Sequence, residues 1–407
     1  MRTPVDDFQP GFAGRRSSVA GRNVTILFLS ALTIMAGATI SPALPAIEAY
    51  FADTPEAAIL TRLVLTVPAL FIAFCAPFAG LLADRYGRRK VAIVAILLYG
   101  VAGVSGVFAD SLFTLLAGRA LLGVAVAGVM TVATALVGDY FSGPARDRFM
   151  GQQAAFIGIG GIFFLTGGGL LAEFNWRAPF LVYAVAFALV PAILAFITDV
   201  HRPEALPKQE DRGLISGFFL TIPLAAVLLA SVLNSLTFYL MPTQLPFHLK
   251  ALGTNSPVLV GVAIGACTLA SALFSFFYGH VRRRLDVSAV FALGFGFLAG
   301  GLALVAAAGS FAAILPASFL VGSGLGLIMP NLGSAAMAIA GEDNRGRVAG
   351  LLTASIFLGQ FVSPLVSQPI AERTGYAAVF GLGAATLLMA ALVALGLAGL
   401  RSRRQPA

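Results

Sequence analysis

Polar residues in this sequence come in short breaks between apolar runs, and each run is long enough to cross a bilayer. A helix needs about 20 apolar residues to span the hydrocarbon core. Twelve runs meet that length, near 24–47, 61–82, 91–109, 111–138, 152–171, 178–198, 214–242, 257–279, 287–308, 312–338, 349–370 and 377–400. Inside lipid every backbone N–H and C=O must bond within its own segment, so continuous runs fold as helices. They do not alternate, which excludes a β-barrel. The 11% charged residues are less than half the share in soluble domains and could not cover a water-facing surface. The expected fold class is an all-α membrane protein with twelve transmembrane helices. The first run is too long for a signal-peptide core and is expected to stay as the first helix.

Charge sets the orientation. All but five of the 26 Lys and Arg fall in the N-terminal segment, in alternate connections or at the C-terminus. Arg62, Arg177, Lys250 and Arg373 fall on the other side, and Arg119 lies inside a run. Basic residues mark cytoplasmic loops, so both termini are expected in the cytoplasm. The net charge of +8 is therefore a topology signal, and no nucleic-acid partner is expected. Cys75 and Cys267 sit in apolar runs, His201, His248 and His280 in or beside loops, and no metal site or cofactor is expected.

The chain repeats itself. A shift of 199 residues maps Gly80 onto Gly279, Gly123 onto Gly322, Arg148 onto Arg347, Gly151 onto Gly350 and Gly160 onto Gly359. The longest polar connection divides two six-helix bundles, 1–198 and 214–407, joined by a cytoplasmic linker at 199–213. Each half has an even helix number, so the two repeats run parallel and can enclose a cavity at the membrane midplane.

The densest charge lies in Gly80-Leu81-Leu82-Ala83-Asp84-Arg85-Tyr86-Gly87-Arg88-Arg89-Lys90. A basic loop accounts for the arginines but not for Asp84, or for Gly80 and Gly87 at fixed offsets. This stretch resembles the signature loop between helices 2 and 3 of the major facilitator superfamily. The resemblance extends over the whole chain through helix number and repeat, and implies a transporter working by alternating access. It assigns gating to Asp84, Arg85 and Arg88, with Asp84 latching against the opposite half near the start of helix 11. In the second half Asp84 maps onto Arg283, so only one half carries the acid.

Arg119 costs about 3 kcal/mol at a bilayer centre. Arg119-x-x-Leu122-Gly123 resembles the family's helix 4 motif, found in proton-coupled members, and is expected at the cavity as proton relay or anion ligand; the alternative is a structural arginine that caps carbonyls or snorkels outward. Pro42-x-x-Pro45 and the glycines of helix 5, Gly160 among them, resemble the drug:proton antiporter branch. The Gly-Pro pair of that branch is replaced by Phe164-Leu165, while Pro364 keeps a proline in the second half. Gly80, Gly87, Gly123, Gly160, Gly359 and Pro364 are expected to shape helix packing. No Asp or Glu lies at mid-membrane, so coupling would use Asp84, Asp139 or the substrate.

Gln152, Gln153, Asn234, Tyr239, Asn331 and Gln360 are candidates for the cavity, with interhelical hydrogen bonding equally open for each. The resulting expectation is a bacterial inner-membrane exporter of small amphipathic or hydrophobic compounds, coupled to protons, monomeric in the lipid bilayer. The alternatives are a carrier of a sugar or organic anion bound by Arg119, and a non-transporting receptor.

Overall fold

The computed structural model describes residues 12–199, 221–340 and 344–402. Among them are twelve helices long and apolar enough to cross a membrane. The first half holds α1 (Val19–Tyr50), α2 (Ala57–Tyr86), α3 (Arg88–Phe108), α4 (Leu112–Tyr140), α5 (Gly143–Phe174) and α6 (Ala178–Phe196). The second holds α7 (Ile222–Ala251), α8 (Pro257–Arg284), α9 (Val287–Ala307), α10 (Phe311–Ile339), α11 (Arg345–Thr374) and α12 (Tyr376–Gly399). Buried apolar side chains form two clusters. One draws on the first half plus Phe247, the other on the second half plus Leu165. The segment expected to join the halves lies outside the described residues, apart from Asp199.

Local chemistry ends and starts the helices. Gly87 alone separates α2 from α3, at φ +91°, a backbone region that L side chains rarely adopt. A Cβ there would also meet the Asp199 carboxylate at 2.7 Å. That carboxylate accepts from the Arg89 N–H at 2.9 Å, satisfying a free donor at the start of α3. Ser111 caps α4 and, 199 residues on, Ser310 caps α10.

The repeat holds at the level of contacts. A Cβ on Gly123 would stand 2.6 Å from the Pro68 carbonyl oxygen and 2.8 Å from Phe71 Cβ. A Cβ on Gly322 would stand 2.7 Å from the carbonyl carbon of Cys267 and 2.9 Å from Ala270 Cβ. Pro68 and Phe71 map onto Cys267 and Ala270 by the same shift of 199. Thus α4 crosses α2 as α10 crosses α8, and only glycine allows either approach. Gly80 is not needed in this way, since its nearest neighbour would be Thr131 at 3.7 Å.

The repeat-equivalent helices α1 and α7 break at equivalent places. α1 is helical to Ala38, passes through a 3-10 turn at Ser41–Ala43 and resumes at Leu44–Tyr50. α7 is interrupted at Tyr239, between Ile222–Phe238 and Leu240–Ala251. Pro42, Pro45, Pro242 and Pro246 remove N–H donors around these points. The continuation of α7 corrects the boundary at 242. Gln244, His248 and Lys250 are helical, and buried His248 meets the Val305 carbonyl through Nε2 at 3.2 Å. These side chains read as loop because they are polar, but Gln244 and His248 are buried against protein, while Lys250 at the helix end is exposed.

The end of the bundle that carries Arg85–Lys90 is called the basic end here. Along α5 and α8 the halves lie close from Gly169 against Pro257, through Gly261 against Leu165, to Gly158, where an added Cβ would stand 3.2 Å from Ala272 Cβ. Further toward the basic end, a Cβ on Gly151 or Gly279 would meet nothing within 4 Å. The close contacts of this seam run from the far end to Gly158, and Gly151 and Gly279 nearer the basic end face no close neighbour.

Candidate functional site

Between the halves lies a cavity of about 520 Å³, walled by α1, α2, α4 and α5 on one side and by α7, α8, α10 and α11 on the other. Its polar groups are those of Thr33, Tyr239, Thr268, Thr353 and Gln360. Phe238, Phe357, Met130 and Met329 supply greasy, adaptable surface. No Asp, Glu, Lys or Arg is among the described residues of the wall. Such a lining suits a molecule with large apolar area and few hydrogen-bonding groups.

The candidate polar side chains divide. Tyr239 and Gln360 face the cavity. Gln152 is exposed, while Gln153 Nε2 donates to Ser30 Oγ at 2.6 Å and ties α5 to α1. Asn331 Nδ2 donates to the Val287 carbonyl at 3.0 Å, and its Oδ1 accepts from Tyr278 at 3.2 Å. Asn234 is fully buried behind the wall residue Met329, whose sulfur takes its Nδ2 at 3.6 Å.

Arg119 is 1% exposed and stands behind the wall rather than on it. Its Nε donates to the Val64 carbonyl at 2.9 Å, its Nη1 to Tyr183 Oη at 3.0 Å and its Nη2 to the Ala36 carbonyl. The backbone explains each partner. In a regular helix Val64 C=O would accept from the N–H of residue 68, and residue 68 is Pro. Ala36 lies in the last turn before α1 breaks, where carbonyls lack intrahelical donors and the helix end is negative. Tyr183 supports the same turn, donating to Ala36 C=O at 3.0 Å, and Tyr99 donates to Leu32 C=O at 2.7 Å. Arg119 thus donates to two carbonyls, on two helices of the cavity wall, that lack a regular helical donor.

At the basic end, Arg88 pairs with Asp139, lies 3.7 Å from Asp84 and donates to the Ala135 carbonyl at 2.8 Å. These partners all belong to the first half. Arg85 lies over its neighbour Tyr86, 5.6 Å from the ring centre. Asp84 itself is 63% exposed. Asp139 and Arg88 are both largely shielded from water, so Asp139→Ala should weaken the compensation of a shielded guanidinium, leaving the longer, exposed contact with Asp84. We expect a cost of about 2 kcal/mol, read as a lower melting temperature in detergent, with Asp84→Ala much milder.

Sequence reasoning missed a charged cluster at the far end, centred on Arg62, Glu48 and Gln244. The signal was present. Arg62 is the second residue of an apolar run rather than a loop residue, and Gln244 stands in a stretch that keeps Leu245, Phe247 and Leu249 apolar.

Comparisons with known proteins agree with this architecture. The family model described as Major Facilitator Superfamily matches residues 26–267 and 227–407. Quinolone resistance protein NorA of Staphylococcus aureus (strain MRSA252) is 25% identical over 85% of this chain and 89% of its own length. Tetracycline resistance protein, class C, of Escherichia coli is 27% identical over 86% and 89%. Among solved structures, a bacterial homolog of the human lysosomal transporter Spinster, in an inward-facing and occupied conformation, superposes with a TM-score of 0.73 at 16% identity, covering 96% of this chain and 97% of that one. A D-xylose-proton symporter gives 0.73 at 14% identity, over 92% and 97%.

Proposed function

This chain belongs to the major facilitator superfamily of membrane transporters, and we propose that it exports small amphipathic or hydrophobic compounds by alternating access, in exchange for protons. The observation that carries the proposal is the uncharged, mostly apolar wall of the cavity between the halves. A sugar needs a dense array of donors and acceptors, and an organic anion needs an available cation. Neither is on this wall, and the donors of Arg119 are engaged with backbone and Tyr183. The resistance proteins named above, similar over most of their length, favour the same substrate class.

The concentration of Lys and Arg puts the basic end in the cytoplasm, and both termini with it. The cavity then opens inward, ready to take substrate from the cytoplasm or the inner leaflet. The bacterial relatives point to the inner membrane, with the chain acting as a monomer. With no acid on the wall, coupling falls to Asp84 and Asp139 at the cytoplasmic edge or to the charge of the substrate itself.

Tyr239→Ala and Gln360→Ala test the site. Each removes a polar contact worth about 0.5–1.5 kcal/mol, so each should raise the KM for a cationic amphipathic dye several-fold with kcat less affected. Gln152→Ala should match the parent. Unchanged KM in both cavity variants, with flux retained, would put binding elsewhere.

A further inference from the structure

Arg62, near the start of α2, is fully buried at the end of the bundle opposite the basic loops. Its guanidinium is held by both halves. From its own half, the Glu48 carboxylate and the Ala58 carbonyl accept from Nη1. From the other half, Gln244 Oε1 accepts from Nε at 3.1 Å and Tyr376 Oη from Nη2 at 3.3 Å. The ring of Phe247 lies beneath, 3.7 Å from Cζ, and stacks on Tyr376 with centroids 6.2 Å apart. The second-half receptor is itself braced. Gln244 donates to Ser367 at 2.8 Å and to Gln368 at 3.3 Å, and Gln368 donates to Glu372 at 3.0 Å.

The repeat gives this arrangement a meaning. Glu48 maps onto Phe247 under the shift of 199, so the guanidinium lies between repeat-equivalent positions of α1 and α7. That seam must part if the far end is to open. Ser41 Oγ donates to the Pro242 carbonyl across the same seam at 2.6 Å. The acid and the aromatic face divide the work. The same-half carboxylate keeps the charge compensated whether the seam is shut or open. The cross-half partners are neutral, so parting them separates no opposite charges and strands no buried ion.

We propose that Arg62 is the catch that holds the far end of the transporter shut: Glu48 aims it, and Gln244, Phe247 and Tyr376 receive it, so its withdrawal shifts the balance from the form open at the basic end to the form open at the far end. This rests on the alternating-access reading above but requires no particular substrate. Removing the cross-half contacts should change the ratio of the two forms by about tenfold, within the usual range for such couplings.

The test uses the full chain in nanodiscs, with Cys75 and Cys267 replaced and one reporter cysteine at a time. Ala43→Cys reports the far end, where Ala43 is fully buried beside the seam; Thr353→Cys reports the cavity wall. In the parent, a hydrophilic maleimide should label Thr353→Cys quickly and Ala43→Cys slowly. With Arg62→Gln, labelling of Ala43→Cys should rise about tenfold while that of Thr353→Cys falls. Arg62→Lys, which keeps the charge but not the planar fork, should fall between. Phe247→Ala and Gln244→Ala should shift both reporters in the same directions and serve if the Arg62 variants do not fold. Labelling that rises at both reporters would mean a merely loosened bundle, and unchanged labelling in a monodisperse Arg62→Gln protein would mean no catch; either overturns the proposal. Loss of dye export with reciprocal labelling intact would fault the substrate assignment alone.

Discussion

Arg119→Ala is expected to lower the stability of the folded transporter even with no substrate present. The substitution removes donors to the Val64 and Ala36 carbonyls and to Tyr183. Hydrogen bonds from a charged donor contribute about 1.5–3 kcal/mol each. Relief of the desolvation of the buried arginine, about 3 kcal/mol on insertion scales, offsets part of that loss. A net cost of about 3 kcal/mol follows, or on the order of 4 °C in melting temperature for a chain of this size. Lysine should recover about half at most, because one ammonium cannot span acceptors on two helices as the guanidinium fork does. The result separates two roles. A substrate ligand at this position would leave the melting temperature of the empty protein unchanged or higher on removal, and would show itself only in KM.

The second large effect concerns the helix crossings. Gly322→Ala would drive a Cβ into the backbone of α8 at Cys267. Backbone cannot swing aside as a side chain can, so α8 and α10 must separate and lose their packing. We expect a cost of about 3 kcal/mol, with Gly123→Ala close behind through its contact with Pro68. Gly151→Ala and Gly350→Ala are the internal controls. A Cβ at either position meets nothing within 4 Å, so each should be neutral or slightly stabilising, since alanine favours the helix by about 0.5–1 kcal/mol. All four glycines belong to the same repeat, and nothing in the sequence separates the two pairs. Melting temperatures and monodisperse yield in detergent distinguish them.

Hydropathy and charge made the twelve helices, the repeat and the basic loop legible, because lipid imposes length and composition directly on the chain. Polar residues that face neighbouring helices leave no such mark. α7 was cut short at 242 for that reason, hiding Gln244 and His248. Arg62 reads as part of an outer connection, because its burial depends on receptors that α7 and α12 supply from the other half. The partners of Arg119 were half visible. Pro68 stands four residues after Val64 in the sequence, but the orphaned carbonyl matters only once α4 is known to lie beside it. The same holds for the candidate polar side chains: Tyr239 and Gln360 reach the cavity, while Gln153 and Asn331 bind other helices, and only packing tells them apart. Asp84 was expected to contact the second half. Its described pairing is with Arg88 in its own half.

The most direct test of the account is transport itself, measured in proteoliposomes with the basic end facing a known compartment and a pH gradient imposed. A cationic amphipathic dye should leave the compartment at the basic end only while the other side is more acidic, and should stop when the gradient is collapsed. Dye movement no greater than in protein-free liposomes, beside Arg119-dependent uptake of an organic anion, would contradict it.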